Sequence, residues 1–188
     1  MYLTQALHQS LQQDPDRPFT VFGERRRSVA EAVDRVSRFA GALRQLGLAE
    51  GDRVAPLGLN SDRYLEYQLA IPWAGGVVNP VNIRWSPAEI AYSLTDCETR
   101  ILLLDDAFSP MVGALRELAP GLTTVVHCGN GVPPPEGALS YEALLASAEP
   151  VPDRRRGGDE LYGVFYTVAP PATPRGSCSA TATSCPRR

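Results

Sequence analysis

The sequence predicts an α/β protein: a mostly parallel sheet flanked by helices. Short apolar runs that read as buried strands alternate with helices of similar length along nearly the whole chain. Two of those helices announce their starts with Ser-x-x-Glu capping boxes, at Ser28/Glu31 and Ser86/Glu89. The composition is globular, with 44% hydrophobic and 21% charged residues in 188, which suits one domain with a proper core.

The elements follow in order. Tyr2 to Gln13 reads as a short helix with Leu3, Ala6, Leu7 and Leu11 on one face, ended by Asp14-Pro15-Asp16. Phe19 to Phe22 and Arg25 to Arg27 read as a hairpin around Gly23-Glu24. The next helix carries Val29, Val33, Val36, Ala40, Leu43 and Leu46 at spacings of three and four, and Gly47 closes it. Val54 to Leu57 is a short buried strand. The helix from Asp62 to Trp73 is expected to turn Tyr64, Leu65, Leu69 and Ala70 inward, and Gly75-Gly76 stops it. Val77 to Val81 is a strand. Ser86 opens a helix with Pro87 at its first position and Ile90, Ala91 and Leu94 facing in. Arg100 to Leu104 is the most plainly buried strand. Met111 to Leu118 is helical, Thr123 to His127 extended, 129–137 a loop, Tyr141 to Ala148 a short helix, and Val151 to Asp159 a charged connector. Leu161 to Thr167 is the last strand. No repeat at solenoid periods is visible.

Several function classes are excluded by composition. A net charge of −3 leaves no basic footprint for nucleic acid. All 18 basic residues are Arg, so no lysine is present to pair a phosphate. The N-terminus has neither the basic region nor the apolar core of a signal peptide, and no apolar run approaches the roughly 20 residues that span a bilayer. Cys97 and Cys128 stand alone in the folded part, and Cys178 and Cys185 match no metal-ligand spacing. A reduced, cytoplasmic protein is expected. His8 and His127 lie far apart with no cysteine or carboxylate at ligand spacing, so no metal site is assigned.

Asp105-Asp106 at a strand's C-terminal end can touch a ligand in a sheet crevice or cap the following helix, and capping is the expected role. Arg154-Arg155-Arg156 reads as a solvated connector rather than a phosphate site. Ser177 and Ser179 sit in no nucleophile motif.

Local strings then resemble the N-terminal subdomain of the adenylate-forming acyl-CoA synthetases. Leu46-Gly47-Leu48 through Gly51-Asp52-Arg53-Val54-Ala55 is similar to the family's Leu-Gly-(Val/Ile)-x-x-Gly-Asp-Arg-Val-Ala, and Asn60-Ser61 follows at the expected distance. Ala74-Gly75-Gly76-Val77-Val78-Asn79-Pro80-Val81-Asn82 resembles Ala-Gly-Ala-Val-x-x-Pro-(Leu/Ile)-Asn, and Pro87 to Leu94 resembles the helix after it. Asn82-Ile83-Arg84-Trp85 leans toward acyl-CoA synthetases rather than peptide-synthetase adenylation domains. Pro56, Leu59 and Pro72 depart from the pattern, and Pro56 deletes a ladder donor. Gly163-Val164-Phe165-Tyr166-Thr167 resembles the lead-in to the family's phosphate loop, Tyr-Thr-(Gly/Ser)-Gly-Thr-Thr-Gly-x-Pro-Lys-Gly.

The resemblance implies a two-step reaction. A fatty or aryl carboxylate attacks the α-phosphate of ATP with Mg2+ to give acyl-AMP, and CoA then displaces AMP. Small loop residues let backbone N–H groups reach phosphate oxygens, and hydroxyls and a lysine add donors. Only Thr167 belongs to that loop here, and Tyr166 abuts it; these two are the candidate cofactor-contacting residues, and no catalytic residue is assigned. The remaining loop, the nucleotide-binding segments, the acyl pocket and the mobile C-terminal domain are expected to be missing. No cofactor is expected for this chain by itself.

Val168 to Arg188 has no acidic residue and no apolar period. One permitted codon choice for it, read with a single extra G in front, gives Gly-Gly-Thr-Thr-Gly-Asp-Pro-Lys-Gly-Val-Met-Leu-Ser-His-Arg-Asn-Leu-Val-Pro-Ser-Ala. That restores the whole loop and the apolar strand that normally follows. The expected organisation is a partial adenylate-forming domain over 1–167 and a disordered, out-of-frame tail over 168–188. A non-catalytic remnant or a small-ligand-binding α/β module is the alternative. A sheet cut at its last strand is expected to expose an edge and be marginally stable.

Overall fold

The computed structural model describes residues 2–129, 131–167 and 175–180. Helix α1 (Gln5–Gln13) leads into an antiparallel hairpin of β1 (Pro18–Phe22) and β2 (Arg25–Ser28). Helix α2 (Val29–Gln45), strand β3 (Arg53–Leu57), helix α3 (Asp62–Ala74), strand β4 (Val77–Val78), helix α4 (Pro87–Asp96) and strand β5 (Ile101–Leu104) follow. A 3-10 turn at Asp106–Met111 then runs into α5 (Val112–Leu118), followed by β6 (Thr124–His127), β7 (Leu139–Ser140), α6 (Tyr141–Ser147), β8 (Leu161–Thr167) and β9 (Arg175–Ala180).

Both capping boxes form. Ser28 N donates to Glu31 Oε2 at 2.7 Å while Glu31 N donates to Ser28 Oγ at 3.2 Å, and Ser86 and Glu89 repeat the pattern at 2.8 and 3.4 Å. Each box satisfies two of the N–H groups that a helix start leaves open.

The sheet has the order β7-β6-β5-β3-β4-β8-β9, parallel except for the last pair. Strict alternation along its central strands sends Ile101 and Leu103 into one core with α2, α3 and α6, and Leu102 and Leu104 into another with α4 and α5. Burial on both faces explains why β5 reads as an unbroken apolar run.

Strand β4 is shorter than the predicted Val77–Val81. Its neighbour β3 accepts from Asn79 N at Val54 O (2.8 Å) and from Val81 N at Pro56 O (3.0 Å), so Pro56 faces β4. Pro56 has no N–H to return, and ladder pairing stops at Val54–Val78.

Helix α3 buries Ala70 and packs Tyr64 and Leu69 against the core as predicted, but not Leu65, and its inward face is wider. Leu65 is 40% exposed and Tyr64 and Leu69 only partly buried, whereas Asp62, Arg63, Glu66, Tyr67, Ala70 and Ile71 are buried. The polar members of that face are paired. Arg25 binds Asp62 through Nε and Nη2 at 2.9 and 2.7 Å, and Glu66 receives Arg35 Nε at 2.8 Å and the Tyr141 hydroxyl at 2.9 Å. Arg27 Nε lies 2.9 Å from Glu66, and Arg35 and Arg63 both meet Glu142 at 2.8 Å.

Within the stretch expected to be the tail, one segment is described. Residues 175–180 pair antiparallel with β8, with Thr167 opposite Arg175 and Tyr166 opposite Gly176, so β8 is not the sheet's edge. The rest of the predicted disordered tail, 168–174 and 181–188, lies outside the described residues.

Two outcomes test this packing. A Cβ at Gly41 would lie 2.2 Å from the Glu149 carbonyl oxygen, so Gly41→Ala should lower stability by about 1–3 kcal/mol in denaturant titration. Burial pushes the Asp62 and Glu142 carboxyls up, but their arginine partners, Arg25 and Arg35 foremost, outweigh it and hold both below their ordinary values of 3.8 and 4.5. Depressed carboxyls stabilise fully above those values and lose that contribution as pH falls below them. Stability should therefore drop below about pH 4.5, and Asp62→Asn should flatten the drop in melts across that range.

Candidate functional site

Strand β8 reaches its C-terminal end through a tight corridor. A Cβ at Gly163 would sit 2.9 Å from Val78 O, so the close parallel approach to β4 needs glycine there. A register irregularity between Leu161 and Gly163 places Tyr162 on the α3 side, where its hydroxyl meets Gln68 Oε1 at 3.2 Å. Val164 and Tyr166 face the other way, toward Val77 and Cys97.

Tyr166 is held from several directions. Its hydroxyl donates to Asp96 Oδ2 at 2.5 Å and stands 3.0 Å from Cys97 Sγ. Its ring meets Trp85 and Tyr92 edge-on, with centroids 6.3 and 6.4 Å away. Burial first, then the bonds to Asp96 and Cys97, raise the phenol far above its ordinary value, so it stays protonated and can keep donating. Thr167 continues β8 as its last residue, and its backbone pairs with Arg175.

The other sequence candidates resolve into structural roles. Asp105 caps the 3-10 turn, accepting from Ala107 N at 3.1 Å, and also accepts from Leu59 N at 2.7 Å. Asp106 accepts from Gly131 N at 2.7 Å and lies 2.9 Å from His127 Nε2, tying down the loop after β6. Beside them, at the ends of β3, β5 and β6, is an open hollow of about 240 Å³ that Arg25 and Arg63 also line. His8 binds the buried Asp153 at 2.7 Å and stacks on Trp73. Arg154 and Arg155 behave as connector residues, pairing Glu50 and covering the Tyr2 ring. Arg156 does not: it is buried, and donates to Gly75 O at 2.8 Å and Leu161 O at 3.1 Å. Among the described residues no group of three or more His, Cys, Asp or Glu is arranged to hold a metal ion, and no helix is long and apolar enough to cross a membrane.

Sequence reasoning passed over Asp96, Cys97 and Trp85 as partners of Tyr166. The only signal for them is the capping box at Ser86, which fixes the phase of α4 and so places Asp96 at its last turn.

With this geometry in hand, comparison with known proteins defines the class. The chain matches the AMP-binding enzymes over residues 7–176, and it belongs to that family. A long-chain-fatty-acid–CoA ligase of Thermus thermophilus is 41% identical over 153 residues, covering 80% of this chain and 27% of the ligase. An indoleacetate–CoA ligase of Aromatoleum aromaticum is 32% identical over 166 residues, covering 87% of this chain and 32% of that protein. The chain therefore spans about a third or less of the length of these relatives. An anthranilate CoA ligase in complex with anthranoyl-AMP superposes with a TM-score of 0.87 over 95% of this chain and 35% of its own, at 23% identity, which shows the shared fold.

The family's nucleotide can be tested against the residues that follow Thr167. From Val168 to Pro174 the chain reads Val-Ala-Pro-Pro-Ala-Thr-Pro. Three of these seven positions are prolines without an N–H, no glycine stands between Thr167 and Gly176, and no lysine exists anywhere in the chain. This donor set does not fit a triphosphate.

Cys97 and Cys128 are free and buried, and burial pushes both thiols up. Neither should react in the folded protein: brief alkylation followed by peptide mass spectrometry should leave both unlabelled until denaturant is added.

Proposed function

We propose that this chain carries the N-terminal part of an ATP-dependent carboxylate–CoA ligase, and that a one-base shift at the Thr167/Val168 junction has cost it the phosphate loop. As written it makes no acyl-AMP. The complete enzyme would join a fatty or aryl acid to CoA, the chemistry named for its relatives. Thr167 would open the loop and Tyr166 would stand behind it. Two buried free thiols support a reducing, cytoplasmic setting.

One observation carries this reading. The family match runs on past the junction to Gly176, yet the residues between lack the loop's glycines and lysine. The hairpin supports it, because residues 175–180 pair as a strand although Arg-Gly-Ser-Cys-Ser-Ala has weak strand preference. In the shifted frame the same positions read Lys-Gly-Val-Met-Leu-Ser, more apolar and better suited to a sheet.

A stable non-catalytic remnant is the second reading. The paired charges around Glu66 and the two cores on either side of the sheet favour it over a decay product.

Sequencing the gene through and beyond the Thr167 codon, then inserting one G and expressing the longer frame, tests the proposal. The restored protein should exchange pyrophosphate into ATP when given a carboxylate, and the 188-residue chain should show no nucleotide binding by calorimetry. ATP binding by the written chain, or no family motif downstream in any frame, would overturn it.

A further inference from the structure

We infer that Tyr166 is a positioning residue: through its hydroxyl and its ring it pins the C-terminal end of β8 to α4, and so fixes where the chain leaves the sheet for the loop. The functional half of this inference rests on the ligase reading above; the anchoring half stands on the geometry.

The contacts run the length of one helix. Trp85 immediately precedes the N-cap of α4, Tyr92 lies within the helix, Asp96 is its last residue and Cys97 its C-cap. Tyr166 touches all four. Its single proton goes to the Asp96 carboxylate, so the bond to Cys97 must run the other way, from the thiol to the phenol oxygen. An O–H···O bond to a carboxylate is charge-assisted, roughly twice as strong as a neutral one.

The ring does separate work. Trp85 is buried, and its indole N–H has no hydrogen-bond partner among the described residues, so packing against rings such as Tyr166 rather than a polar bond holds it. Arg53 extends the anchor into the sheet: its Nε donates to Cys97 O, tying the helix end back to β3. On the opposite face Tyr162 meets Gln68 of α3. Strand β8 is thus pinned on one side near its start and on the other at its end.

These contacts hold Tyr166 to α4, on the face of β8 that Val164 shares. A group engaged in this way sets the direction of the loop's first residue without touching a nucleotide. That distinguishes its role from phosphate binding.

Hydrogen exchange on the 188-residue chain tests the anchor without any enzymatic readout. Tyr166→Phe keeps the ring and removes the hydroxyl, and Asp96→Asn keeps the shape and removes the charge. Either variant should speed exchange at 163–167 by about tenfold while Ile101–Leu104 stays at the wild-type rate. Unchanged exchange at 163–167 in both variants would overturn the inference. So would an equal rise at Ile101–Leu104, which would mean global destabilisation.

The frame-restored enzyme tests the functional half. Tyr166→Phe there should raise KM for ATP by about tenfold and change kcat by less than about threefold, because ground and transition states lose the same positioning. A wild-type KM in that variant would overturn the role. If the restored wild-type enzyme exchanges no pyrophosphate, the ligase reading fails, and the exchange experiment alone decides the anchor.

Discussion

The buried carboxylate of Glu66 is the constraint on which one whole side of the sheet depends. It is fully buried and takes partners from three other elements: Arg27 on β2, Arg35 on α2 and the Tyr141 hydroxyl on α6. Such a group is costly to take out of water, and only a saturated set of donors offsets that cost. Removing one partner from a buried pair typically costs about 3–5 kcal/mol, because the remaining charge is stranded. The hairpin, α2 and α6 are thereby obliged to converge on α3. Helix α3 in turn carries Gln68, which meets Tyr162 at the beginning of β8. One contact of β8 is thus linked, through α3, to charges some distance away from it.

Arginine suits this arrangement for a physical reason. Its planar guanidinium can meet two carboxylates or both oxygens of one, as Arg35 does with Glu66 and Glu142 and Arg25 does with Asp62. A lysine in any of these places would offer a point charge with a heavier hydration cost. The same all-arginine composition that leaves nothing lysine-like for a phosphate builds a network that lysine would serve poorly.

Most of the fold was legible in the sequence because its signals were local. The capping boxes at Ser28 and Ser86, the apolar run at β5 and the glycines after α2 and α3 each specify one element through one mechanism. What was missed depended on partners far along the chain. Leu65 reads as an inward residue by periodicity, but the first turns of α3 bury Asp62, Arg63 and Glu66 instead, the two carboxylates paired with arginines on the hairpin and α2. The two-residue strand β7 exists because β6 offers an edge, with Val126 opposite Leu139. Strand β4 ends early because of a proline on its neighbour. At the site, Tyr166 and Thr167 could be singled out from sequence by the strand's last residues, whereas Asp96, Cys97 and Trp85 became visible only when α4 was packed beside β8.

This division between local and distant signals bears on what a change at Thr167 can do. Strands β3 through β6 pair with one another and bury their side chains in cores whose described members all precede Thr167. The Glu66 network closes entirely within 27–142. The end of β8 is held by α4, through residues 85–97, as well as by its pairing with β9. Among the described residues, then, most supports of the fold lie upstream of Thr167, with β9 the exception. A shift of frame at that point, as proposed above, would leave those upstream contacts in place. Tyr166 would then stay anchored to α4 whatever residues followed Thr167.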